Sequence, residues 1–345
     1  MATPLEHLAY RTSQRLRVSW YSGQKWLSAR LTEPVAVPAE LEERMPDRAA
    51  ILADLRALLE QDWRNIEEGH YRLPESTLLH PLAALRNAGR YFADLRQVEA
   101  RRRAAANDEV FRATPRGAYP RYFLQNFHYQ TDGYLSRRSA ELYDHQVEVL
   151  FGGGADAMRR QALVPLKRVL DASGGARRAR LIDLACGTGR FLHEVKSNYP
   201  RLAVTALDLS PFYLDEARRE LAPWSRTEFI AAPAERVPRS SESFDVATSI
   251  FLFHELPARE RASVTREMAR LLRPGGAAIL VDSIQHGDRP EYDALVEYFP
   301  LAFHEPYYAQ YAHEDLVGLF GAAGLRLEES QLAYFAKVMV FKKAR

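Results

Sequence analysis

LIDLACGTGR, residues 181–190, sets a short apolar run directly against two glycines flanking a threonine. Leu181, Ile182 and Leu184 have the composition of a buried strand. Gly187 and Gly189 mark a tight turn, and Phe191, Leu192 and Val195 fall at helical spacing behind it. Strand, glycine turn and helix in that order leave a bare main chain at the end of a strand, where a ligand can approach the backbone.

Around this stretch the chain alternates between strand and helix patterns. LIDLA, AVTALDL, FIA, FDVATSIF, AAILVDS and AYFAKVMVF read as strands, with helical segments between them. Such alternation predicts an α/β fold, a Rossmann-like, mostly parallel seven-stranded sheet with helices on both faces. Residues before about 118 have a different texture. Ile51, Leu55, Leu58, Leu59 and Trp63 fall at helical spacing between Asp47 and Glu67, and Leu85, Phe92, Leu95 and Val98 repeat the pattern between Leu82 and Arg103. Prolines at 34, 38, 46, 74 and 81 interrupt these helices. The expected division is a helical N-terminal domain over 1–118, a connecting or lid segment over 119–160, and the α/β domain over 161–345.

Composition narrows the function without naming it. With 345 residues, 47% hydrophobic and 27% charged, the chain is long enough for one large or two medium domains. A net charge of +2 gives no field that would argue for nucleic acid or an anionic membrane. The single cysteine, Cys186, excludes an internal disulfide and a multi-cysteine zinc site, and no metal is expected. No run of 18 apolar residues and no secretory h-region is present, so a cytoplasmic location is expected.

The glycine turn is then read against its competitors. A dinucleotide turn would place a third glycine where Leu192 stands, and a P-loop would require a G-K-[ST] run that is absent. The remaining features are two acids, Asp183 before the turn and Asp208 at the end of VTALDLS. A carboxylate at the second position can accept both hydroxyls of a ribose. The expected ligand is a nucleoside without phosphates.

At this point the sequence resembles the class I S-adenosylmethionine-dependent methyltransferases, over roughly residues 175–345. IDLACGTGRF looks like the family's first motif, ALDLSPFYLDEAR like its ribose acid and following helix, SESFDVATSIFLFHEL like its fourth strand, and RLLRPGGAAILVD like the helix, turn and fifth strand after it. The resemblance implies S-adenosyl-L-methionine as cofactor. It implies backbone contacts from Gly187 and Gly189 to the methionine part, with Asp183 fixing the turn or meeting the amino group. Asp208, followed by Leu209, would hold the ribose. Pro233 occupies the usual adenine-acid position, which leaves Ala234 to offer a backbone N–H and Glu235 to substitute as the carboxylate. Phe251 would pack by the methionine tail, and Cys186 is assigned no chemistry.

Two aromatic segments complete the reading. Residues 119–151 interleave aromatic rings with Gln125, Asn126, His128 and Gln130, and Ser136 is placed to cap the following helix. Interdomain packing and a lid over the sulfonium both explain this segment, with Tyr129, Gln130 and Tyr134 as the lid residues. The stretch AFHEPYYAQY, 302–311, offers Phe303, His304, Tyr307, Tyr308 and Tyr311 as an acceptor wall. His254, Tyr129 and His286 are the candidate catalytic groups, with Glu255 beside His254.

Three functions fit these residues. The first is a small-molecule methyltransferase. A second is a lyase or cyclase of the azetidine-carboxylate-forming type, in which the cofactor's own amino group displaces methylthioadenosine. The third is a non-catalytic binding protein, which the intact turn and ribose acid disfavour. Base-amino methylation of nucleic acid would require an Asn or Asp, Pro, Pro, aromatic motif where SIFLFHEL stands, and a homodimer through the helical domain is a further expectation.

Overall fold

A computed structural model describes residues 3–74 and 81–345. Its centre is a seven-stranded sheet: β1 (Arg180–Leu184), β2 (Ala203–Asp208), β3 (Thr227–Ala231), β4 (Phe244–Ile250), β5 (Leu272–Ser283), β6 (Leu325–Ala333) and β7 (Ala336–Lys343). The strand order is β3-β2-β1-β4-β5-β7-β6. β1 to β5 run parallel, whereas β7 pairs antiparallel with both β5 and β6. The sheet is therefore mixed, with its parallel part as the sequence alternation predicts.

β1 is the pivot of this order. From it the chain winds outward through β2 and β3 on one side and returns to β4 and β5 on the other. A crevice opens at the carboxyl ends of the strands where winding reverses. Leu184 of β1 stands in register with Leu207 of β2 and Ser249 of β4, so the residues that follow all three strands emerge together.

Side-chain alternation along the strands feeds two cores. Leu181, Val204 and Val246 pack on one face of the sheet, and Ile182, Leu207 and Ala247 on the other. The first core does not stop at the α/β region. Tyr10 from the Pro4–Leu31 helix and Leu55, Leu58, Trp63 and Ile66 from the Arg48–Glu67 helix belong to the same apolar cluster as Met158, Leu166 and Leu181.

The Pro81–Ala104 helix departs from its apolar pattern. Leu82 and Leu85 are exposed, and the buried positions are Ala88, Asp94 and Glu99. Its inward face is polar because each acid has partners. Asp94 accepts from Thr131 Oγ1 and Arg138, at 2.7 and 2.9 Å. Glu99 accepts from Arg102, Arg103 and the Glu33 N–H. Satisfied hydrogen bonds replace apolar burial on that side.

Candidate active site

The cavity sits at the carboxyl ends of β1, β2 and β4, beneath residues 122–159, and holds about 980 Å³ of space free of protein atoms, its open mouth included. Its floor is the glycine turn. Cys186 donates its N–H to the Leu207 carbonyl at 2.8 Å, and Gly187 donates to Asp208 Oδ2 at 2.8 Å. Ser210 donates its N–H to Asp208 Oδ1 at 2.8 Å, so the carboxylate bridges the turn and the next helix.

The two glycines of the turn serve different ends. Gly187 lines the cavity with φ +56°, and a Cβ there would meet nothing within 4 Å. Gly189, φ +81°, would put its Cβ 3.1 Å from the Cα of Ala217. Its bare backbone permits close packing of two helices, and it does not line the cavity, contrary to the expected ligand contact. The backbone is also left-handed at Ala185 (φ 60°), just before the turn, and at Phe251 (φ 57°), both cavity residues. Such conformations cost non-glycine residues roughly 1–3 kcal/mol and cluster at ligand sites.

Electrostatics of the floor follow from burial. Asp183 lines the cavity and is pushed up to about 7 by burial, against the hydrogen bond that Thr248 donates at 2.6 Å. Asp208 is raised to about 6 by burial, opposed by the backbone N–H groups of Ser210 and Gly187. Cys186 is buried and its thiol pushed well up by burial, the opposite of an activated nucleophile.

Over the floor lies an aromatic layer. Tyr134 stacks with Phe127, centroids 5.4 Å apart, and makes edge contacts with Tyr143 and Tyr213. Ser136 caps the Arg137–Leu150 helix as expected, by accepting from the Ser139 N–H at 3.1 Å. The segment before it is pinned from several sides. Asn126 is fully buried, donating to the Gln130 carbonyl and accepting from the Val110 N–H. Ser210 Oγ donates to the Tyr134 carbonyl at 2.5 Å, which ties this segment to the helix after Asp208.

Past β4, Glu255 enters the cavity, its Oε1 accepting from Tyr134 at 2.5 Å. Burial raises its carboxyl to about 7. His254 points behind it. Its Nδ1 lies 2.6 Å from Asp282 Oδ1, and its Nε2 4.0 Å from Glu255 Oε1. Burial alone would lower this imidazole, but Asp282's charge and hydrogen bond overcome it and carry it to about 9. An imidazolium so held is a positioning group and a poor base at neutral pH.

The remaining expected residues separate cleanly by place. Asp183, Gly187, Asp208, Leu209, Ala234, Phe251 and Tyr134 line the cavity. Gln130 is buried in its own loop, donating to the Gly133 carbonyl at 2.7 Å. Glu235 accepts from the Tyr122 hydroxyl, 2.8 Å from each carboxylate oxygen, outside the cavity wall. Tyr129 packs on His304 in a left-handed turn, and His286 sits among Asp293, Glu297 and His313, so neither reaches the cavity. The 302–311 cluster is likewise a backing layer: Tyr308 and Tyr311 pack edge-on to His254, each 6.1 Å away.

The sequence reading missed a charged rim. Asp144, Arg159 and Arg190 line the cavity beside Thr188, whose hydroxyl donates to Asp144 Oδ2 at 2.9 Å. Asp144 Oδ1 is buried without a partner, the kind of orphaned acceptor that a ligand donor satisfies. Open space above Gly187, the acid ending β2 and this unpaired oxygen together fit a ribose and an amino-acid tail.

Residues 181–276 match the family described as methyltransferase domain. The mitochondrial 2-methoxy-6-polyprenyl-1,4-benzoquinol methylase of Caenorhabditis elegans is 32% identical over 124 residues, 34% of this chain and 42% of that one. Demethylmenaquinone methyltransferase of Thermotoga maritima is 32% identical over 148 residues, 43% of this chain and 59% of its own. The chain thus spans about half the length of these curated relatives. Among solved structures, the 1,6-didemethyltoxoflavin-N1-methyltransferase of Burkholderia thailandensis is 21% identical, covering 59% of this chain and 84% of that one at TM-score 0.40. Residues 181–276 are thus a methyltransferase domain of the S-adenosylmethionine-dependent kind, and S-adenosylmethionine is its cofactor. Among the described residues no helix is long and apolar enough to cross a membrane, and no group of three or more His, Cys, Asp or Glu is placed to hold a metal.

Proposed function

We propose that this protein transfers the methyl group of S-adenosylmethionine to a small-molecule acceptor inside the aromatic-roofed cavity. The observation that carries this reading is the open space over the left-handed Gly187, bordered by Asp208 at the end of β2 and by the unpartnered Asp144 Oδ1. In this reading Asp208 takes the ribose hydroxyls, Gly187 and Asp183 border the methionine part, and Leu209 and Ala234 border the adenine. Phe251 and Tyr134 place ring faces near the sulfonium, whose charge attracts them. The bound cofactor supplies an electrophilic methyl group. The chain's own residues align the acceptor and exclude water.

The test is product analysis. Purified protein with S-adenosylmethionine and a panel of acceptors, including alkylamines and a demethylated quinol, is expected to yield S-adenosylhomocysteine and a methylated acceptor. Methylthioadenosine formed with no acceptor present would assign the intramolecular reading instead. No binding of S-adenosylhomocysteine by calorimetry would remove both.

A further inference from the structure

Beside Tyr134, one end of the cavity carries a buried carboxyl group that no free cation among the described residues pairs with. Glu255 is the carboxylate that enters there, and among the described residues its only side-chain hydrogen bond is the one Tyr134 donates. The nearest cation, His254, is already committed: its Nδ1 is 2.6 Å from the fully buried Asp282, against 4.0 Å from its Nε2 to Glu255. Asp282 and His254 offset each other. Glu305, also buried, adds a second carboxylate to the electrostatic surroundings of Glu255 and has His128 close by, at 3.0 Å. A carboxylate in an apolar setting is costly unless it is neutralised or paired.

The rest of that end is aromatic. Tyr134 is surrounded by Phe123, Phe127 and Tyr143, with centroids 5.9, 5.4 and 6.1 Å from its own, and all four rings line the cavity with Glu255. Ring faces attract cations, and an acid set among several rings is the composition of an ammonium-binding cage.

Resting on the methyl-transfer reading above, we infer that the acceptor is an amine, bound as its ammonium by Glu255 within the Tyr134, Tyr143, Phe123 and Phe127 cage. Glu255 then serves twice. It pairs with the ammonium on entry, and it takes one N–H proton to expose the lone pair. That lone pair forms the new N–CH3 bond as the S–CH3 bond breaks, with the bonding electrons staying on sulfur to give the neutral thioether. The product amine carries one methyl more, and the proton leaves from Glu255 to solvent. Atoms and charge balance without a further reactant.

The experiment uses the full chain saturated with S-adenosylhomocysteine, which lacks the sulfonium and so leaves the cage in need of a cation. Benzylammonium and benzyl alcohol are titrated in by calorimetry, against wild type and Glu255→Gln. The expected result is about tenfold or greater preference for benzylammonium in wild type, in line with a desolvated cation beside rings and a carboxylate. Glu255→Gln should erase that preference while binding S-adenosylhomocysteine with unchanged affinity and melting at the same or a higher temperature, because a costly buried carboxyl is removed. Equal binding of the two probes to wild type overturns the amine assignment while leaving the cofactor site standing. A Glu255→Gln variant that loses affinity for S-adenosylmethionine but not for S-adenosylhomocysteine also overturns it, because Glu255 would then be the partner of the sulfonium. Wild-type protein that does not bind S-adenosylhomocysteine at all overturns the methyl-transfer reading itself, a result distinct from either.

Discussion

At the scale of single residues, the two glycines of the turn separate ligand approach from packing. Gly187→Ala keeps room for its methyl in the protein but pushes it into the cavity, so it should weaken S-adenosylhomocysteine binding at least tenfold for a stability loss of about 1 kcal/mol from the left-handed backbone. Gly189→Ala meets Ala217 at 3.1 Å and should behave in reverse, losing roughly 1–3 kcal/mol of stability with a smaller effect on binding. Calorimetry and urea melts on the same two variants check both halves. Asp183 supplies a pH prediction. Its folded pKa of about 7 lies above the usual carboxylate value, so the folded state holds a proton that the unfolded chain releases. Stability from this group is greatest at low pH and falls as pH rises from about 4 to about 7. Asp183→Asn removes that slope and should raise stability at pH 8 by a few kcal/mol at most, at about 1.4 kcal/mol per unit, as measured by the difference between wild-type and variant melts across pH.

At the scale of elements, legibility in the sequence tracks locality. The strands and the turn could be read because their signal lies within ten residues: an apolar run, then glycine, then helical spacing. Asp208 could be read because one helix and one return strand fix its distance from the turn. Asp144, Arg159 and Arg190 could not, since their place in the site depends on how the Arg137–Leu150 and Ala155–Arg160 helices settle on the turn, and no local pattern encodes that. An acid following Tyr143 on an amphipathic helix was the available signal, and it is weak. His286 and Tyr129 misled for the same reason: closeness to a strand end or to a ring-rich segment says nothing about which side of the loop faces the cavity. The 119–136 segment is held in place by a polar residue at its centre. Asn126→Ala would leave the Val110 N–H without its side-chain acceptor in a buried site and the Gln130 carbonyl with only the long bond from the Gly133 N–H, at about 1–3 kcal/mol. Faster hydrogen exchange over 119–136, with little change at β1 and β4, is the expected pattern; uniform protection throughout would mean that the aromatic packing alone holds the segment.

At the scale of the whole molecule, the helical N-terminal region and the α/β region meet through charge as well as apolar surface. Asp156 is buried and accepts from Arg17, Arg159 and Arg190, at distances of 2.7–3.1 Å. Arg17 belongs to the Pro4–Leu31 helix, and Arg190 opens the helix that follows the glycine turn, so one carboxylate fastens the first helix of the chain to the edge of the candidate cofactor site. Burial by itself would raise Asp156, but Arg190 and Arg17 outweigh it and hold the carboxyl well below the usual range. A pair of this kind is strongly destabilising when half of it is removed, because the remaining charges stay buried. Asp156→Ala should therefore cost roughly 3–5 kcal/mol and weaken S-adenosylhomocysteine binding through Arg190 and the adjoining turn. The shared apolar cluster gives the same interface a second consequence. Residues 1–118 should unfold together with 161–345, in a single urea transition reported equally by Trp63 near the N-terminus and by Trp224 beside the sheet. In the Asp156→Ala variant the transition should move to lower urea and remain single, provided the apolar cluster that holds Tyr10, Leu55 and Met158 still couples the halves. Two separated transitions in wild type, with the Trp63 signal lost first, would instead make residues 1–118 an independent domain resting on the enzyme.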